Sequence, residues 1–242
     1  MHEPRVYRDA VTPKRRRYFR VRVKETDLFI HAPGELESAA LDLTLACRLH
    51  IEEYLRRHPG VTDSLIPVPA DRLAPAVVRE MIDAGRKAGV GPMAAVAGAV
   101  AESVGRGLLR ATPDVIVENG GDIFIRTDEP LTVAVFAGNS PLSMKVGLKL
   151  EGSGTGIGVC TSSGTIGHSL SFGSADAACV VSSSCALADA SATAIGNLVR
   201  SAADLQSALA FGKGIPGVEG VLIIRGDRLG AWGRLEIVPI GR

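Results

Sequence analysis

Asp189 and Thr193 lie four residues apart in Ala188-Asp-Ala-Ser-Ala-Thr193-Ala-Ile-Gly196. On a helix that spacing puts a carboxylate and a hydroxyl on one face, one turn from each other. Such a pair near a helix N-terminus suits a hard, oxygen-seeking cation such as Mg²⁺. The same N-terminus presents unpaired backbone N–H groups to a phosphate. Ser, Asp and Thr near a helix start also act as caps, and spacing by itself favours the cap. Two further segments carry candidate groups. Cys160-Thr-Ser-Ser-Gly-Thr-Ile-Gly-His168 gathers Thr161, Ser162, Gly164 and a single histidine, which can take up a proton or simply hold its own loop. Glu118-Asn-Gly-Gly-Asp122 sets two carboxylates around Asn119, Gly120 and Gly121, where main-chain N–H groups meet a ligand without side-chain obstruction.

The elements that must position these groups are legible in outline. Val115 to Ile125 reads as two apolar strands joined by the hairpin signal Asn119-Gly-Gly121. The apolar run Ala177-Ala-Cys-Val-Val181 reads as a buried strand that feeds, through Ser182-Ser-Ser184, into the helix carrying Asp189. Upstream, Tyr18 to Val23 and Leu28 to His31 are strands around a polar turn, and Glu35 to Arg57 has a helical apolar stripe stopped by His58-Pro59-Gly60. Pro75 to Ala88 and Gly91 to Arg110 are two more helices, the second rich in Ala and Gly and therefore open to close approach by another backbone or a flat ligand. Leu131 to Phe136, Lys145 to Leu150 and Ile157 to Thr161 are strands, and Ala203 to Phe211 is a helix. Val218 to Ile224 and Leu229 to Val238 form a last hairpin with a solvated tip at Arg225, Asp227 and Arg228. Helices fall between hairpins, which predicts α+β with antiparallel sheets and opposes a doubly wound parallel sheet.

Composition narrows the function classes. Aromatics make up only 4% of the chain against 46% hydrophobic residues, so the core is built from Ala, Val, Leu and Ile. The net charge of +1 gives no overall attraction to a polyanion, and the basic strand at Arg20, Arg22 and Lys24 lacks a nucleic-acid recognition motif. No apolar run has the length of a membrane span, and no apolar h-region follows the first residues, so the expectation is a cytoplasmic protein. Cys47, Cys160, Cys179 and Cys185 lack zinc or C-x-x-C spacing and read as small buried residues.

Taken together, three segments resemble the ApbE-like superfamily of flavin transferases. Glu118-Asn-Gly-Gly-Asp-Ile123 is similar to its N-x-G-G-D-I hairpin, Thr161-Ser-Ser-Gly164 with His168 to its T-S-G…H segment, and Ala188-Asp-Ala-Ser-Ala-Thr-Ala194 to its A-D-A-x-x-T-A motif. Order and separations agree over roughly Gly91 to Gly196, and the chain is closer still to a shorter, uncharacterised branch beside that superfamily. The resemblance implies one domain over residues 1–242, made of two intertwined T-fold-like ββ-αα-ββ halves with a flavin nucleotide between them. It also implies Mg²⁺-dependent cleavage of FAD, with FMN passed to a Ser or Thr hydroxyl of an acceptor protein and AMP released. Asp189 and Thr193 would then hold the metal, Asn119, Gly120, Gly121, Asp122, Thr161, Ser162 and Gly164 would border the nucleotide, and His168 would lie near the reacting phosphate. T-fold relatives often oligomerise through their sheets, which makes a homodimer the analogous assembly.

Departures from the pattern are equally specific. The family's A-K-G-Y run stands here as Ala97-Gly98-Ala99-Val100, its nearby acid as Ser103 with Glu102 beside it, and its H-I-I-D-P as His168-Ser-Leu-Ser-Phe172. Three readings follow: a Mg²⁺-dependent flavin transferase, a non-catalytic flavin or nucleotide-binding protein, and a divergent enzyme on another small phosphorylated or heterocyclic substrate.

Overall fold

Residues 17–164 and 173–241 are described by the computed structural model, the side chain of Ser153 excepted. Strands β1 (Arg17–Val23) and β2 (Thr26–Ala32) open the chain as a hairpin. Four helices follow: α1 (Glu37–Arg57), a single turn α2 (Pro59–Thr62), α3 (Ala76–Ala88) and α4 (Val96–Leu108). Helix α4 is entered through a 3-10 turn at Pro92–Ala95, where proline's missing N–H costs nothing. Next come six strands, β3 (Val115–Asn119), β4 (Asp122–Thr127), β5 (Leu131–Ala134), β6 (Val146–Leu150), β7 (Ser153–Ser162) and β8 (Ala177–Ser182). Helices α5 (Cys185–Leu198) and α6 (Leu205–Gly214) precede β9 (Val218–Arg225), β10 (Arg228–Gly233) and β11 (Glu236–Pro239).

The fold is mixed α and β with antiparallel sheets, as the alternation of hairpins and helices predicts. Eight strands form one sheet in the order β1-β2-β3-β4-β7-β8-β9-β10, and β11-β6-β5 form a second sheet of three. Helices α1, α4, α5 and α6 pack on one face of the large sheet, over Leu28, Ile30, Val117, Phe124, Cys160, Val180 and Ile223, and α3 packs against α1, α4 and α5. The small sheet covers the opposite face, over Ile116, Ile125, Val159, Cys179 and Leu222. Central strands are therefore buried on both sides, which is why Val115-Ile-Val117, Ala177 to Val181 and Val221 to Ile224 are unbroken apolar runs instead of alternating ones.

The single strand expected from Leu229 to Val238 is two. Gly233 adopts φ 98, and a Cβ there would collide with Glu219 O, so only glycine permits the bend. After it, β11 leaves the large sheet and pairs with β6, with Ile237 opposite Leu148. The β9–β10 tip is solvated at Asp227 and Arg228 as expected, and it is anchored from below: Gly226 N–H donates to Asp176 at 2.6 Å, and Arg225 reaches the same carboxylate at 3.5 Å. Among the described residues, no single helix is long and apolar enough to cross a membrane.

Candidate functional site

The β3–β4 hairpin forms where Asn119-Gly-Gly-Asp122 predicts it. Gly120 and Gly121 take φ 72 and 108, the left-handed pair that a two-residue turn needs, and Asn119 pairs with Asp122 across it. Glu118 Oε1 accepts the Gly121 N–H at 3.0 Å, so that donor is already satisfied within the hairpin. Asn119 turns to the helical face, where its Nδ2 donates to Ala97 O in the first turn of α4 at 3.0 Å. The turn abuts β7, since a Cβ on Gly121 would lie 3.7 Å from Thr161 O.

Asp122 lies opposite Cys160 on β7, with its carboxylate beside the Cys160 thiol and accepting the Thr161 N–H. Asp189, in the second turn of α5, approaches the same place from the helical layer. Its Oδ2 accepts the Gly98 N–H at 2.8 Å, and the Ala97 N–H adds a second bond. These are orphan donors of the first turn of α4, so Asp189 caps one helix from another. The stripe of small residues in α4 serves this approach: a Cβ on Gly98 would lie 2.8 Å from Asp189 Cβ and would overlap Cys185 O. The place where the resemblance puts a lysine side chain is thus filled by α5.

Burial pushes the carboxyl of Asp189 up to about 7 against the pull of the two N–H donors. Asp122 is pushed well above the ordinary carboxylate range, first by burial and then by the charge of Asp189. Among the described residues, neither acid has a Lys, Arg or His partner. Two buried carboxyls without a base either keep a proton or take a cation. The same residues include no cluster of three or more His, Cys, Asp or Glu side chains that could hold a metal. A cation at this point must therefore complete its shell with hydroxyls, carbonyls, water or ligand phosphates, which fits Mg²⁺ and its habit of one or two carboxylates.

Other candidates fall into place unequally. Thr193 stands one turn beyond Asp189 on α5, half-buried. Ser162 reaches the next part of that helix, 3.7 Å from where a Cβ on Gly196 would stand. The Thr161 hydroxyl points to the other face of the sheet and pairs with Cys179, so Thr161 serves the site through its N–H. Gly164 donates its N–H to Ala175 O at 2.9 Å and packs on Gly173, and so holds together the two ends of the segment between them. His168 lies outside the described residues.

The α5 N-terminus follows the cap reading, at Ser184, and not the phosphate one. Its Leu187 N–H goes to Ser184 Oγ at 3.3 Å, and its Cys185 N–H to Glu102 Oε2 at 2.7 Å. The far oxygen of Glu102 is held by Arg106 at 2.6 Å. A phosphate there would meet a carboxylate, and two of the donors inferred from sequence are taken by the protein itself. Glu102 and the Asn119–Ala97 bond were not legible as site-builders, whereas the close approach of another backbone at Gly98 follows the reading of an Ala/Gly-rich helix.

Comparison with known proteins bears on the family and on the fold. A sequence model of the family described as AbpE bacteria matches residues 9–227. A protein named UPF0280 from Methanocella arvoryzae is 41% identical over 221 residues, covering 91% of this chain and 90% of its own. One of the same name from Methanosarcina barkeri is 42% identical over 198 residues, covering 80% and 78%. Among solved structures, the apo flavinyl transferase ApbE of Pseudomonas stutzeri superposes with TM-score 0.59 at 14% identity, over 90% of this chain and 94% of that one. The ApbE protein of Thermotoga maritima gives 0.56 at 12%, over 89% and 96%. At these identities the structures speak for the fold.

Proposed function

This chain belongs to the family described as AbpE bacteria, and from that membership we propose that it is a Mg²⁺-dependent flavin transferase-like protein whose nucleotide site lies at Asp122 and Asp189. The observation that carries the reading is the pair of buried carboxyls without a basic partner, set beside the glycine turn at Gly120 and Gly121. The architecture we infer is one domain of two T-fold-like halves. In support, β1-β2, helices α1 to α4 and β3-β4 are followed by β7-β8, α5-α6 and β9-β10, with β4 and β7 adjacent in the sheet. Asp122 then belongs to the first half and Asp189 to the second.

Asp189 and Thr193 would hold the cation, with Asp122 as a neighbouring acid. Mg²⁺, when bound, supplies neutralisation of charge on a pyrophosphate and on a departing nucleotide. The protein's own part is positional. The N–H groups of Ala97 and Gly98 fix the Asp189 carboxylate, Asn119 fixes Ala97, and Glu102 fixes the first turn of α5. An acceptor protein hydroxyl, in this reading, receives FMN from FAD.

A second reading, a flavin or nucleotide binder without turnover, is favoured by Gly98, where α5 occupies the space of the expected lysine. Calorimetric titration of FAD into the protein with and without Mg²⁺, for wild type and Asp189→Ala, tests both. Metal-dependent binding lost in the variant is expected, and its absence in wild type removes the flavin reading. AMP release from bound FAD then separates transfer from carriage.

A further inference from the structure

Two of the four cysteines touch, and they do so beside the candidate site. Cys160 lies on β7 across from Asp122, and Cys185 is the first residue of α5, one turn before Asp189. Their Sγ atoms are 3.5 Å apart, and both residues are wholly buried. The backbone makes this approach, because Gly158 faces Cys185 so closely that a Cβ at 158 would overlap the Cys185 Cα. The Cys160 thiol is within reach of three acceptors: the Asp122 carboxylate, Cys185 O at 3.4 Å, and the Cys185 sulfur. Cys47 and Cys179 sit instead with the hydroxyls of Ser103 and Thr161.

We propose that Cys160 and Cys185 are a thiol–disulfide modification site, closed by a small peroxide as oxidant and coupled to the candidate site through Asp122. One sulfur gives two electrons to the peroxide O–O bond, becoming a sulfenic acid as one water leaves. The second thiol attacks that sulfur, the S–S bond forms, and the hydroxyl departs with its proton as a second water. Two thiols and one peroxide thus give one disulfide and two waters. Closure brings the sulfurs from 3.5 Å to about 2.05 Å, a displacement shared between β7 and the first turn of α5.

Proximity decides the product. A sulfenic acid on either sulfur already has a thiol in contact, so ring closure outruns further oxidation to the sulfinic acid. Burial holds both thiols protonated, which slows the first step relative to an exposed cysteine without changing its outcome. The oxidised form lacks the Cys160 S–H that donates to Cys185 O beside Asp122, and its α5 is drawn toward β7 one turn from Asp189. The coupling to ligand binding rests on the proposed function; the chemistry of the thiols does not.

The test treats the full chain with hydrogen peroxide, alkylates free thiols in denaturant and maps the digest by mass spectrometry. A peptide pair joined through Cys160 and Cys185, lighter by two hydrogens and released by dithiothreitol, is expected, with Cys47 and Cys179 alkylated. Recovery of Cys160 and Cys185 as free thiols or as sulfinic acids, in conditions that oxidise an exposed-thiol control, overturns the proposal. So does a Cys160 cross-link to Cys47 or Cys179. Cys185→Ser is expected to abolish the link and carry Cys160 on to the sulfinic acid. FAD titration with Mg²⁺ reads the coupling: oxidation is expected to change affinity by about threefold or more, and only when Cys185 is present. Equal affinities overturn the coupling. A reduced protein that binds no FAD overturns the proposed function while leaving the cross-link result to decide the rest.

Discussion

At Asp122 and Asp189 the carboxyls hold their protons more tightly in the folded protein than in the unfolded chain, where an aspartate ionises near 3.9. Such groups contribute stability that is fully present below the unfolded value and is lost as pH rises through the folded one. For Asp189 the window runs from about pH 4 to about 7. At 1.36 kcal/mol per unit, that span is worth on the order of 4 kcal/mol, with the loss complete at alkaline pH. Urea denaturation of the metal-free protein is expected to show lower stability at pH 8 than at pH 5, and added Mg²⁺ is expected to restore more of it at pH 8. Asp122→Asn removes one of the two like charges while keeping an acceptor for the Thr161 N–H. We expect it to flatten the pH slope and to stabilise the metal-free protein at pH 8 by roughly 1–2 kcal/mol. A slope unchanged by this substitution would place the pH dependence elsewhere.

The helices α4 and α5 meet at the proposed site, and two substitutions measure their contact. Gly98→Ala forces a methyl against Cys185 O and Asp189 Cβ, where neither backbone nor helix yields cheaply. A loss of about 1–3 kcal/mol is expected, together with weaker Mg²⁺-dependent stabilisation because the Asp189 donors move. Glu102→Gln keeps an acceptor for the Cys185 N–H and gives up only the pairing with a half-exposed Arg106. Glu102→Ala abandons the buried N–H and should cost about 1–3 kcal/mol, well above the Gln variant. Equal costs would mean that the Arg106 pair, and not the cap, is what Glu102 provides. The sequence made much of this level legible. Asn119-Gly-Gly-Asp122 announces its turn, and Asp189 with Thr193 announces a shared helix face, since both signals are local. What joins them is not local. Asp122 meets Cys160 only after β5 and β6 have left for the second sheet, and Glu102 caps a helix that begins 83 residues later. No spacing rule reaches across such a gap. The bend at Gly233 was missed for a related reason: its alternation with Trp232 and Arg234 reads as a continuing strand until Glu219 is known to lie beside it.

Across the whole molecule, the position of α5 bears on how the chain unfolds. One core cluster runs without a break from Val21 on β1 to Ile223 on β9, and α5 supplies Cys185, Ala188, Ala192 and Ile195 near its middle. Helix α5 touches α3 and α4 as well as β7 and β8, so neither set of four strands can close its own helical face without the other. The small sheet ties the set again, because β11 follows β10 yet pairs with β6, which lies between β4 and β7 in the chain. Separate unfolding of the two sets of four strands would expose apolar surface along the whole β4–β7 seam and both flanks of α5, a cost that favours a single transition. The sole tryptophan, Trp232, lies on β10 at the far edge of the second set of strands and reports that region by fluorescence. Far-ultraviolet circular dichroism reports α1, α3 and α4 along with the rest. In guanidinium the two signals are expected to change together, with one midpoint and one slope. If the Trp232 transition precedes the loss of helix, β7 to β10 would be a separable unit, and the proposal of a site assembled only when both sets of strands are folded would fail with it.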